Sequence, residues 1–274
     1  MNSLSKRRTL PGFTPTLTAT LLWLAILVLI PLATLFWTAA QLDASTFWQV
    51  VTSPRAVAAY KLTFGVALLA ALANGVGGFL LAWVLVRHPF PGRNVVDAML
   101  DIPFALPTAV AGLAFATLCS ANGWLGRGLA LLGIHAANNR LAIWVVLTYV
   151  SLPFVVRTLQ PVIEDLGTEA DQAAASLGAS RWQTFAWVLA PQLLPALLTG
   201  MALAFARAVG EYGSVVFVSG NIPYRTEIIP LVILGHLESY HFAEAASVAV
   251  VMLLASFMVN GAINLLARWS RRHA

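Results

Sequence analysis

The chain has 274 residues, of which 59% are hydrophobic and only 10% charged, with a mean hydropathy of +0.80 and a formal net charge of +5. A soluble domain of that composition would lack the polar surface needed to cover itself, which excludes an ordinary water-soluble enzyme and points to a protein embedded in the lipid bilayer. The basic residues are scattered rather than clustered, so no patch supports a nucleic-acid partner.

A hydrocarbon core of roughly 30 Å needs about 20 apolar residues per helix. On that criterion the sequence predicts an all-α membrane protein, a single transmembrane domain over residues 1–274 with six transmembrane helices near 17–38, 61–86, 99–121, 141–163, 193–218 and 244–267. Lys6, Arg7 and Arg8 precede the first run, which is too long for a signal-peptide core and is read as a retained helix. In the second, Ala67, Ala71 and Gly75 recur at four-residue spacing, followed by Gly77 and Gly78, a pattern that lets helices approach closely. RHPFPGR, Arg87 to Arg93, stops the second span from running into the third, where Pro103 and Pro107 predict kinks that free backbone carbonyls. Cys119 is the only cysteine and cannot form an intrachain disulfide.

The fourth span carries Arg157 near its end, where it can snorkel to the interface. Two charges, Arg207 and Glu211, sit in the fifth, although a charge at the bilayer centre costs roughly 3 kcal/mol. At i and i+4 they can pair, either locking that span to its neighbours or lining an anion route. Between the last two spans, the apolar stretch Ile228 to Gly235 is too short to cross and reads as a re-entrant or interfacial helix.

Cytoplasmic loops carry the excess of lysine and arginine. With the N-terminus inside, the inner segments hold Lys6, Arg7, Arg8, Arg87, Arg93, Arg157, Arg181, Arg268, Arg271 and Arg272, and the outer ones only Arg55, Lys61, Arg127, Arg140 and Arg225. Both termini are therefore expected in the cytoplasm. No catalytic motif is present. A P-loop needs a lysine directly after a glycine, but Lys6 follows Ser5 and Lys61 follows Tyr60. No serine has a matched histidine and acid in a nucleophile elbow. His236 and His241 flank Glu238 in GHLESYH without the HExxH spacing, so no metal site is expected there.

Thr168 to Pro195, within the predicted cytoplasmic loop 165–191 and its continuation, interrupts the apolar pattern with a polar helix, a glycine and a second apolar helix. Thr168 is the expected N-cap, Glu169 and Asp171 complement the helix dipole, and Gly178 falls where a left-handed stop belongs. Pro191 is expected to mark the turn into the membrane. The alanines of the first helix suit a close-fitting docked face better than a bilayer surface.

Gln172-Ala173-Ala174, then Gly178, then Val188-Leu189-Ala190-Pro191 resemble the EAA loop of ABC-importer permeases, with Gln172 and Ala190 replacing the pattern's glutamate and leucine. Lys61 to Phe64, Ile102 to Gly112, Asn122 to Trp124 and Phe205 to Gly213 resemble more narrowly the CysT-type permeases of sulfate/thiosulfate importers. That resemblance implies a type I ABC-importer permease fold in a bacterial inner membrane, multi-pass, moving sulfate or thiosulfate by alternating access. It implies as partners a homologous second permease subunit, two ATPase subunits and a periplasmic sulfate-binding protein. The chain itself would be no enzyme and hold no cofactor, ATP and magnesium belonging to the ATPase. Gln172, Ala173, Ala174, Leu177 and Gly178 would contact the ATPase. Thr108, Arg207, Glu211, Tyr212 and Ser214 are candidates along the substrate path, because a transporter must release what it binds and does so best from weak multiple contacts. Molybdate or tungstate is the alternative cargo. An ion-coupled secondary transporter is the alternative of another class, for which Glu211 is the one firm mid-span acid and no internal repeat is evident.

Overall fold

The computed structural model describes residues 13–133 and 137–271, so Lys6, Arg7, Arg8 and Arg272, on which part of the expected orientation rests, lie outside the described residues. All regular structure among the described residues is helical. The first long helix, α1 (Phe13–Ala39), is followed by the short α2 (Ala44–Val51), whose N-cap Asp43 accepts from the Thr46 amide at 3.0 Å. Next comes α3 (Pro54–Arg87), 34 residues and so roughly 50 Å long at about 1.5 Å per residue, longer than the hydrocarbon core it crosses. Three shorter helices follow: α4 (Arg93–Met99), α5 (Ile102–Ala105) and α6 (Thr108–Cys119), then α7 (Trp124–Ala130). The second half holds α8 (Arg140–Asp165), α9 (Glu169–Ser176), α10 (Arg181–Val209), α11 (Val215–Val218), α12 (Ile229–Glu238) and α13 (Phe242–Arg271).

Five of these helices are long and apolar enough to cross a bilayer, and the residues of α4 to α6 make a sixth crossing if taken as one span. That span is broken rather than kinked. The axis turns by 111° between Arg93–Ala105 and Thr108–Cys119. Pro107 has no amide to offer a helix and holds Leu106 in an extended conformation (φ −83°, ψ 134°), so the chain stops and restarts.

Pro191 acts differently from its expected role. It does not separate the second loop helix from the fifth span: α10 runs unbroken from Arg181 to Val209, and the residues before the proline, Thr184–Leu189, widen into a π-helical stretch. α1 has the same device, Ala25–Leu29, before Pro31. Widening by one residue takes up the missing hydrogen bond and the ring's clash, so the helix continues. At its other end α10 stops earlier than the predicted span, at Gly210.

The core is a bundle of α3, α8 and α10, with α13 packed on α10 and α1 on α13. Small residues allow the close approach. Ala67, Ala70 and Ala71 of α3 are buried among Ile143, Leu147 and Phe205. A Cβ at Gly78 or at Gly200 would lie 3.0 Å from Val155 of α8. Asn74 adds polar glue inside the membrane, donating to the Thr148 carbonyl at 3.0 Å and to Ser151 Oγ at 2.9 Å. Large apolar side chains such as Trp23, Leu27, Leu69, Val76 and Phe257 point outward, as lipid contact requires.

Arg157 does not snorkel alone. It donates to Asp97 and Asp101 at 2.7 Å each and to Gln160 at 2.7 Å, fastening the α4–α5 segment to α8. At the far end of α3, Arg55 makes a two-pronged bond to the buried carboxylate of Glu227, at 2.8 and 2.5 Å. The predicted short helix is α12, and its first amide, that of Ile229, is held by Thr63 Oγ1 at 2.9 Å. The bundle thus has an Arg55 end and an Arg87 end.

Candidate functional site: a double break in the membrane and an exposed hairpin

Two interruptions meet inside the bundle. One is the Leu106–Pro107 break that starts α6 at Thr108; the other is the segment Gly210 to Ser214 between α10 and α11. They touch through glycine. A Cβ at Gly213 would collide with Thr108 Oγ1, and one at Gly112 would lie 2.5 Å from the Ser214 carbonyl oxygen and 2.6 Å from its Cα. At Gly112 only a hydrogen side chain permits the two backbones to lie this close, whereas at Gly213 the crowding is against the Thr108 side chain, the Ala109 amide lying at an ordinary 3.5 Å.

Glu211 sits at the centre of the second break, 2% exposed. Its Oε1 accepts from both the amide and the hydroxyl of Ser214, each at 2.8 Å, and its Oε2 accepts from Arg207 Nη1. The carboxylate therefore does two jobs. It replaces the helical acceptor that the Ser214 amide lost when α10 ended, and it neutralises an arginine inside the membrane. Arg207 is about one third exposed. Tyr212 is exposed, Ser214 fully buried and Thr108 half-buried against Gly213. The structure thus gathers Thr108, Arg207, Glu211, Tyr212 and Ser214 around one break, although they come from two separate stretches of sequence. Irregular backbone within a membrane protein is tolerated where it is buried in protein or faces a wet cavity.

The second candidate is the hairpin at the Arg87 end. Helix α9 starts without help from Thr168, whose side chain makes no capping bond; Thr168 sits in a helical conformation (φ −111°, ψ −3°) after Gly167 at φ 55°, so its hydroxyl is not placed to cap. At the other end Gly178 is left-handed (φ 79°), with the Ala179 amide bonded to the Ala174 carbonyl at 3.0 Å, closing the helix as the glycine's position suggests. α10 then opens with a capping box formed by Ser180 and Gln183.

The side chains of the hairpin divide into two sets. Ala174 is buried against the rest of the chain, whereas Gln172, Ala173, Leu177 and Gly178 face outward, Leu177 being 88% exposed. Its inner side is anchored twice. Asp171 accepts from Arg87 at 2.7 Å, and Arg87 lies 5.3 Å over the ring of Trp83. Trp83 meets Phe185 edge-on at 5.8 Å, and Phe185 in turn meets Phe79 at 6.0 Å. These contacts fix the hairpin to α3 and α10, which belong to the bundle core. The Arg87–Asp171 pair was not legible in advance, because no spacing rule joins residues so far apart. A third grouping, His236 and His241 with Glu244 rather than with the exposed Glu238, lies at the Arg55 end.

Residues 74–272 match the family model described as the binding-protein-dependent transport system inner membrane component. The sulfate transport system permease protein CysT of Escherichia coli (strain K12) is 47% identical over 273 residues, covering 99% of each chain. The protein of the same name from Synechocystis sp. is 50% identical over 255 residues, covering 93% of this chain and 89% of that one. Among solved structures, a bacterial ABC transporter involved in the import of the acidic polysaccharide alginate has a chain with a TM-score of 0.77 at 16% identity, covering 93% of this chain and 94% of its own. A chain of the MetNI methionine ABC transporter, in an inward-facing conformation, gives 0.58 at 17% identity, covering 84% of this chain and 99% of its own. The structural likeness extends to the whole bundle and independently supports the fold. On the extent of the family match and the near-full-length identity, the chain belongs to the binding-protein-dependent transport system inner membrane components, the permeases of ABC importers.

Proposed function

We propose that this chain is the permease subunit of an ATP-driven importer of sulfate or thiosulfate, set in a bacterial inner membrane with both termini and the α9 hairpin in the cytoplasm. The observation that carries the reading is the pairing of near-full-length identity to sulfate permeases with an exposed, glycine-stopped hairpin fixed to the core by Asp171 and Phe185. A second permease subunit would complete the pore, two ATPase subunits would bind the hairpins, and a periplasmic sulfate-binding protein would deliver the anion.

In this mechanism closure of the ATPase pair moves α9, and the Arg87–Asp171 pair with the Trp83–Phe185 contact carries that motion into α3 and α10 as rigid bodies. At the other end of α10 lies the Gly210–Ser214 break, so tilting α10 opens or shuts the region around Arg207. Arg207 supplies a positive charge to a dianion, and Glu211 beside it limits that attraction so the anion can leave. Thr108 and Tyr212 supply hydroxyls. Hydrolysis is the work of the partner ATPase.

The test is uptake of labelled sulfate into vesicles carrying the chain together with its candidate partners. ATP and the binding protein should both be required, and excess molybdate should compete weakly. Uptake driven by an ion gradient without ATP would overturn the reading.

A further inference from the structure

At the Arg55 end, α12 finishes at Glu238 and the chain turns through Ser239, Tyr240 and His241 into α13. The turn is tightly bonded. The His241 amide donates to the His236 carbonyl at 2.9 Å, and the Tyr240 amide to that of Leu237 at 3.0 Å, with Tyr240 left-handed at φ 62°. His241 then opens α13, its carbonyl accepting from the Ala245 amide at 3.0 Å, which places Glu244 in the first helical turn. The backbone thereby aims three side chains at one point. Nδ1 of His236 is 3.0 Å from Glu244 Oε2, Nδ1 of His241 is 3.7 Å from the same oxygen, and one ligand atom from each residue lies within 4.8 Å of the others.

We propose that His236, His241 and Glu244 form a binding site for a divalent transition metal, with zinc the best fit. Two imidazole nitrogens and one carboxylate oxygen are a ligand set that zinc accepts, and tetrahedral bonds of about 2.0–2.1 Å place ligand atoms roughly 3.3 Å apart. The 3.0 and 3.7 Å separations bracket that spacing, so small side-chain rotations complete the site. All three side chains are partly exposed, which leaves a fourth position for water. Calcium and magnesium are disfavoured, since both want mostly oxygen ligands. The linear motif is invisible as a zinc helix because a turn, rather than one helical face, brings the residues together. A bound ion would staple the last turn of α12 to the first turn of α13.

The test uses the full-length chain in detergent, purified without a polyhistidine tag and stripped of metal, titrated calorimetrically with Zn2+. One Zn2+ should bind per chain and raise the thermal midpoint, and His241→Ala and Glu244→Gln should each weaken binding by at least about tenfold, the scale on which even outer-sphere partners matter. His241 is largely exposed, so its alanine variant should fold; an unchanged metal-free thermal midpoint verifies this. Absence of saturable binding below millimolar Zn2+, or equal affinity in wild type and His241→Ala, would overturn the site and leave only a histidine–glutamate hydrogen bond. Neither result bears on sulfate uptake, so this proposal and the transport reading fail separately.

Discussion

Neutralising Arg207 and Glu211 separately and together tests the reasoning about the double break most directly. Arg207→Gln leaves the Glu211 carboxylate buried with only the Ser214 amide and hydroxyl as donors. Breaking a buried pair by removing one partner costs about 3–5 kcal/mol; because Ser214 still holds the anion and Arg207 is partly exposed, the lower end, about 3 kcal/mol, is expected. At about 2–4 °C per kcal/mol for a chain of this size class, the thermal midpoint in detergent should fall by about 6–12 °C. Glu211→Gln is milder, about 1 kcal/mol, because an amide oxygen can still accept from Ser214 and the released Arg207 can reach solvent or lipid headgroups. The double variant restores a neutral pair and should be more stable than Arg207→Gln alone, a coupling within the 0.5–3 kcal/mol seen for contacting residues. Sulfate uptake normalised to chain level is measured alongside, and should stay low in the double variant because the cation is gone. An Arg207→Gln midpoint indistinguishable from wild type, or a double variant no more stable than that single one, would refute the account of Glu211 as a buried carboxylate that needs its arginine.

Other substitutions separate packing from coupling. Gly112→Ala drives a methyl into the Ser214 backbone and should cost about 1–3 kcal/mol with loss of uptake, whereas Gly77→Ala, with nothing within 4 Å, should be neutral or stabilising; thermal midpoints compare the two. Gly178 also has open space around it, so Gly178→Asn, which tolerates a left-handed backbone, should keep more uptake than Gly178→Val at similar chain levels. Asp171→Asn keeps an oxygen that can accept from Arg87 but removes the countercharge of a cation only 14% exposed, a loss of about 1.5–3 kcal/mol, below the stability of a typical domain. It should nonetheless loosen the hairpin, seen as faster proteolysis near Leu177 and lower ATP-driven uptake.

Composition and the length of apolar runs were enough to read an all-helical membrane protein, since a bilayer leaves no other way to satisfy the backbone of such segments. The same local logic found α9, its stop at Gly178 and the short helix α12, because caps, left-handed glycines and run lengths are properties of neighbouring residues. Proline was legible as a disturbance but not in its outcome. Pro107 breaks a helix by 111° while Pro191 is absorbed by a π-helical stretch. Ion pairs beyond one helical turn were hidden altogether: Asp97 and Asp101 with Arg157, Asp171 with Arg87, and Glu227 with Arg55. The sequence by itself therefore determined the solvent of this protein, its helices and the outline of the α9 hairpin, all consequences of local periodicity and transfer energy. Only the tertiary structure decided that two distant breaks meet at Thr108 and Gly213, that Ala174 turns inward while Leu177 turns outward, and that Glu244 joins two histidines. Those facts are set by how helices cross, and crossing depends on contacts that linear spacing does not encode.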